Sequence, residues 1–278
     1  MGKSLKYFIS VFLLGMLACS QDPPLDFSHL SPVERQQMTI RLDSILQMYP
    51  HGSVNRHAFY DTLIALNPTV EAYYREKAIP YNQLGDIHLG FPLMEKAAAL
   101  DPRSALNYYC WLLLYQYRDY ERALMRLNQY DDMTPDQTDA VWGRNIHFLK
   151  GIVRKQLGHQ PTAIKEFSIC VEEDGENVDT YVYVYRGICH HQMKDYDQAI
   201  ADFDTAIADY DKCTMAFYYK ALTLLEMDRK EEALLCLKKA EDLLKKGYKQ
   251  TDPYVEIFDE VHLEMVEDQL KNWDVPEE

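Results

Sequence analysis

In HQMKDYDQAIADFDTAI, residues 191–207, small or apolar side chains return at Ala199, Ile200, Phe203, Ala206 and Ile207, with acids in between. That spacing lays one stripe along one face of a helix and turns the carboxylates towards water. The same layout recurs in KQLGHQPTAIKEFSIC (155–170) and LEMDRKEEALLCLKKA (225–240). Each has a turn, an alanine, a bulky residue four places later and a small one seven places later. The alanines are Ala163, Ala199 and Ala233, the bulky residues Phe167, Phe203 and Leu237, and the small ones Cys170, Ala206 and Ala240. Twelve residues before each alanine stands another small residue, Gly151, Gly187 or Ala221. Helices that cross closely need small residues at the crossing, so the pattern predicts antiparallel pairs in which the first helix offers glycine or alanine to an alanine on the second. Large residues such as Phe203 are then expected to fill the seam to the next pair.

The three alanines stand 36 and 34 residues apart. Ala123 precedes Ala163 by 40, which places about six extra residues in NQYDDMTPDQTDA (128–140). Further upstream, Ala78, Tyr81, Gly90, Met94, Ala97 and Pro102 fall in the same frame, and Pro68 lies 34 before Pro102. A period near 34 with this layout resembles the tetratricopeptide repeat family over most of the chain. The resemblance implies an all-α fold, a right-handed α-solenoid of stacked helix-turn-helix repeats with a C-terminal capping helix. Its expected divisions are 1–18 as a leader, 19–36 as a tether, 37–250 as one degenerate unit plus five repeats, and 251–278 as the capping helix and tail. No single repeat buries its own face, so stacking supplies the core.

The family frame also implies a concave groove lined by the first helices. It places Tyr109, Phe148, Ile152, Lys155, Tyr181, Ile188, His191, Tyr218 and Leu222 on that groove, an apolar and aromatic lining suited to a peptide helix or an extended segment with bulky anchors. Asn145, Val184, Met215 and Leu225 share the frame, while Arg75 and Lys155 alone bring positive charge to it. The Lys and Asn clamp by which tetratricopeptide co-chaperones hold a terminal carboxylate is absent. Two other coverings remain open for these apolar positions: the chain's own carboxy-terminal helix, or a second copy in a homodimer.

The first 21 residues, MGKSLKYFISVFLLGMLACSQ, carry Lys3 and Lys6 and then an apolar run from Tyr7 to Leu17, too short to span a bilayer and built like a secretory leader. MLAC resembles the lipobox of bacterial lipoproteins, with Met16 and Leu17 departing from its commonest residues. The resemblance implies cleavage behind Ala18 and lipid on Cys19, and Ser20 is compatible with the outer membrane. An ordinary leader cut at Ala18, or an uncleaved anchor, is the other reading. The Pro-containing, aperiodic stretch after Cys19 reads as a tether.

A net charge of −15 disfavours nucleic acid and leaves a basic partner as the charge-steered one. Scarce glycine (11) and proline (12) fit long helices. Of six cysteines, Cys19 is assigned to lipid; the remaining five, Cys110, Cys170, Cys189, Cys213 and Cys236, are an odd number and mostly sit in helical apolar patterns, so no disulfide framework is expected. No zinc-ligand spacing, P-loop, dinucleotide fingerprint or nucleophile elbow is present, and DYD lacks the glycine and the glutamate of a calcium loop. EEDGEN (172–177) reads as a solvated acidic loop. No enzyme, metal or cofactor is expected. The reading is an envelope-anchored adaptor or scaffold that recruits another protein. The alternative is a glycan- or solute-binding lipoprotein, although Trp111, Trp142 and Trp273 look too dispersed for a sugar platform.

Overall fold

The computed structural model describes residues 25–252, 255–271 and 273. The leader and Cys19 lie outside them. Helices account for nearly all the regular structure: α1 (Pro32–Leu46), α2 (Val54–Leu66), α3 (Glu71–Gln83), α4 (Ile87–Leu100), α5 (Pro102–Trp111), α6 (Tyr120–Asp131), α7 (Ile146–Gln156), α8 (Gln160–Asp174), α9 (Thr180–Gln192), α10 (Tyr196–Asp209), α11 (Thr214–Glu226), α12 (Lys230–Lys245) and α13 (Leu263–Lys271). A hairpin of two-residue strands, β1 (Ala140–Val141) and β2 (Arg144–Asn145), precedes α7. The chain divides into two compact units, one ending at Tyr109 and one beginning at Cys110.

In the first unit α1 starts at Pro32, five residues before the expected start of the array at residue 37. Ser31 explains the earlier start: its hydroxyl accepts from the Glu34 amide while the Glu34 carboxylate accepts from the Ser31 amide, a reciprocal cap. Phe27 and Leu30, expected in the tether, instead pack on a core of Leu42, Leu46, Tyr60, Leu63 and Leu66. The next pair, α3 and α4, packs closely.

In the second unit α7 packs on α8, α9 on α10 and α11 on α12. The small residues act at the crossings, but their partner is larger than alanine. A Cβ placed on Gly151 would lie 2.5 Å from the Phe167 ring, and one on Gly187 would lie 2.7 Å from the Phe203 ring. Each phenylalanine therefore fills the hollow that its own first helix leaves, and Phe167 also reaches Tyr185 of the following pair, with ring centroids 6.5 Å apart. The turn inside each pair repeats too. Gly85, Arg118, Gly158, Lys194 and Asp228 all have left-handed φ, between 54° and 79°. Amides just beyond, such as Asp195 N to His190 O (2.9 Å) and Arg229 N to Leu224 O (2.9 Å), close each first helix in the six-to-one manner of a left-handed cap.

The expected capping helix is α13, which packs on α12. Among the described residues it is shorter than the segment expected to form it. Residues 255–262 carry no helix. Asp259 sits at φ 55°, outside the helical region. The carbonyls of Phe258 and Asp259 accept from the Tyr185 and Tyr219 hydroxyls, at 3.0 and 3.3 Å, and so make tertiary bonds in place of helical ones. This irregular strap lies on the face formed by the first helices of the second unit.

Candidate functional site

The strap is held by side chains from successive repeats. Phe258 is 5 % exposed, its ring 5.5 Å from Tyr115 and 6.1 Å from Tyr120, with the Arg118 guanidinium 4.4 Å from its centroid. The Asp259 carboxylate accepts from Lys155 Nζ at 2.6 Å, and that lysine side chain is 4 % exposed. Part of the expected groove lining is thus occupied by the protein itself, through a turn at Phe258 and Asp259.

The individual groove positions separate accordingly. Lys155 holds the strap. Phe148 and Ile152 are buried and form the wall of a cavity beside it. Ile188 and Tyr218 are buried, and Tyr218 meets Tyr219 edge-on at 5.3 Å. Tyr181, His191 and Leu222 are half-buried. His191 Nδ1 is 2.9 Å from the Thr223 hydroxyl, and burial holds its pKa below the usual histidine value. Burial likewise pushes the Tyr181 hydroxyl up. Tyr109 belongs to the first unit, where it is fully buried and donates to Glu95 at 2.5 Å. Arg75, the other cation of the frame, is engaged by Glu71 and Glu76.

Sequence reasoning passed over Tyr115, Arg118, Tyr185 and Tyr219. Tyr185 and Tyr219 stand 34 residues apart, one position beyond the framed Val184 and Tyr218. That recurrence was the available signal.

The strap leaves an opening beside it. A cavity of about 280 Å³ is lined by Trp111, Tyr115, Trp142, Arg144 and Phe148 on one side and by Gln250, Thr251, Asp252, Val255 and Ile257 on the other. Two local devices build it. After α5 the helix widens by one residue at Leu112–Gln116, where the Tyr117 amide reaches back five residues to Leu112 O at 2.8 Å. Leu112, Leu113 and Leu114 are buried there, between Trp111 and Tyr115. Such widened turns are often found at functional sites. The second device is the hairpin that follows the insertion. Trp142 and Gly143 are its two central residues, both left-handed, at φ 52° and 72°, and Ala140 pairs with Asn145. Thr134 donates to the Asp139 carboxylate at 2.5 Å, and the Asp139 carbonyl accepts the Ile146 amide at 2.9 Å.

The hairpin brings Trp142 onto Trp111, ring centroids 5.6 Å apart and planes 30° apart. Two of the tryptophans that look dispersed in sequence therefore form one aromatic surface, with Trp142 still 56 % exposed. Arg144 Nη1 donates to Asp179 at 3.0 Å, and its guanidinium lies 5.3 Å from the Phe148 centroid. Burial pushes the Tyr115 hydroxyl up to about 12, so it remains a neutral phenol at the cavity wall.

Among the described residues no group of three or more His, Cys, Asp or Glu could hold a metal ion. Among them, too, no helix is long and apolar enough to cross a membrane.

The chain matches no family model, and no curated protein matches it. Solved structures do match. YrrB, described as "a TPR protein with an unusual peptide-binding site", superposes with a TM-score of 0.52 at 20% identity, covering 67% of this chain and 92% of its own. A MamA protein matches with a TM-score of 0.54 at 17% identity over 66% of this chain and 97% of its own. MamA from Desulfovibrio magneticus matches with a TM-score of 0.55 at 14% identity over 63% and 96%. With the stacked helix pairs, these likenesses define the fold as an all-α tetratricopeptide solenoid.

Proposed function

We propose that this protein is an adaptor: it takes a segment of another protein at the Trp111–Trp142 cleft and is held at the bacterial envelope, at the outer membrane, by lipid on Cys19. One observation carries the binding site. A tryptophan, more than half exposed, is kept in left-handed backbone at the mouth of an aromatic cavity. A bulky residue in that conformation is strained, and strain of this kind concentrates at ligand sites. The strap lends support, because it is a non-helical segment already seated on the same face by an aromatic anchor and an ion pair. The peptide-binding site ascribed to YrrB adds weight to a peptide ligand.

A glycan-binding reading is favoured by the same tryptophan pair together with Arg144, Gln250 and Asp252 in the lining. It is the rival that a test must separate.

The test places a photo-reactive benzoylphenylalanine at position 142, or at exposed Leu235 on α12, in the full chain inside cells. A protein adduct from position 142 alone supports the adaptor. Adducts from neither site, or equally from both, contradict it. Metabolic fatty-acid labelling that disappears in Cys19→Ala supports the anchor, and labelling that persists contradicts it.

A further inference from the structure

We infer that the Trp111–Trp142 cleft is a receptor for a basic side chain, lysine or arginine, carried on an extended segment of the partner; this rests on the adaptor reading above. Six aromatic side chains, Trp111, Tyr115, Trp142, Phe148, Tyr185 and Phe258, line the cavity. The face of an aromatic ring is negative and attracts a cation, tryptophan most strongly. The second unit already uses this contact beside the cavity, where Arg144 lies 5.3 Å from the Phe148 centroid and Arg118 lies 4.4 Å from that of Phe258.

The cleft's own cation is engaged. Arg144 donates to Asp179 and lies over Phe148, so its charge is matched within the fold. The opposite wall offers an acceptor. Gln250 Oε1 is buried without a hydrogen-bond partner, and Gln250 lines the same cavity. A buried acceptor left unmatched is costly, and an ammonium or guanidinium N–H would satisfy it where an aliphatic side chain would not.

The surroundings have the complementary sign. Asp132 and Asp136 are exposed in the insertion that precedes the hairpin, and Glu172 and Glu173 are exposed in the last turn of α8 and Glu176 in the short 3-10 turn after it, so the stretch expected as an acidic loop is largely helical. The two segments are joined at the hairpin's end, where Asn145 Nδ2 donates to Glu173 and Asp174 at 3.1 and 2.9 Å. With a net charge of −15 on the whole chain, a basic segment is drawn in and an acidic one repelled.

The backbone supplies an independent argument. Both central residues of the hairpin turn are left-handed, the geometry in which Asn-Gly is the favoured pair. Asparagine at position 142 would suit the turn better than tryptophan. Tryptophan stands there in spite of the turn, and its exposed face is the part that the turn does not need.

The test titrates the full chain with acetyl-Gly-X-Gly-amide peptides, X being arginine, lysine, citrulline or norleucine, and follows tryptophan fluorescence. Arginine and lysine peptides are expected to give saturable changes. Citrulline and norleucine should bind about tenfold more weakly, and added salt should weaken only the basic pair. Trp142→Asn should lose about tenfold in affinity for the basic peptides. Gln250→Leu, a second variant that leaves the turn intact, should lose severalfold. Norleucine binding as tightly as lysine would overturn the basic specificity while leaving the adaptor in place. Saturation by a monosaccharide with no peptide response would overturn both readings. No response to any probe, or unchanged binding in both variants, would overturn the receptor.

Discussion

Lys155 Nζ lies 2.6 Å from the Asp259 carboxylate although 104 residues separate the two, and the contact pins the strap to α7. The lysine is almost wholly buried and the aspartate about one-fifth exposed. Removing the carboxylate strands a buried charge, whereas replacing the lysine leaves a carboxylate that water still reaches. Asp259→Ala should therefore destabilise by about 2–3 kcal/mol and Lys155→Met by under about 1 kcal/mol. Urea unfolding of the two variants and of the double mutant measures both effects and their coupling.

The glycines at the helix crossings give the second prediction. Gly151→Ala and Gly187→Ala each drive a methyl into a phenylalanine ring on the facing helix. Each should destabilise by about 1–3 kcal/mol. Gly151→Ala/Phe167→Leu should cost less than the sum of its single changes, because the shorter side chain vacates the space. Chemical denaturation of the two glycine variants, Phe167→Leu and the double mutant tests this.

Two histidines should make stability depend on pH with opposite signs. The hydrogen bond to Glu166, 2.7 Å from His147 Nδ1, raises the His147 pKa above its ordinary 6.5. Its contribution is full below that value and is lost as pH rises through the folded pKa. His191 is depressed by burial, so its contribution is present above 6.5 and lost as pH falls through the folded pKa. The stability gap between the parent and His147→Gln should thus shrink from about pH 5.5 to about pH 8, while the gap for His191→Gln should grow. Unfolding curves across that range decide the matter; parallel trends would contradict the assignment.

The thiols should be slow to react. Burial pushes Cys110 and Cys189 up to about 12 and Cys213 to about 11, and it also raises Cys170 and Cys236. Cys236 is the least buried of the five. A thiol reagent should label Cys236 first and the other four only at the rate of unfolding. Peptide mapping after timed labelling checks the order.

The repeat was legible because its signal is periodic: Ala163, Ala199 and Ala233 mark the second helices, and the all-α fold follows from them. The partner of Gly151 was not, since spacing alone cannot tell whether a small residue faces Ala163 or accommodates Phe167. The left-handed turns at Arg118, Lys194 and Asp228 were hidden because glycine is the usual marker of that conformation. The cleft was the least legible part. Trp111 and Trp142 meet only because a widened turn and a hairpin bring them together, and neither device has a helical period. The strap was obscured for a related reason: Lys155 and Asp259 are tertiary partners on segments that share no repeat position.

Trp142→Asn tests the central claim that this tryptophan is retained for what it binds. Its unfolding midpoint and the adduct from a photo-reactive residue placed at nearby Thr251 can be read on the same preparation. The account predicts a gain of about 1 kcal/mol in stability, from asparagine relieving the left-handed turn, together with loss of the partner adduct. A variant that is less stable than the parent, or that keeps the adduct undiminished, would contradict it.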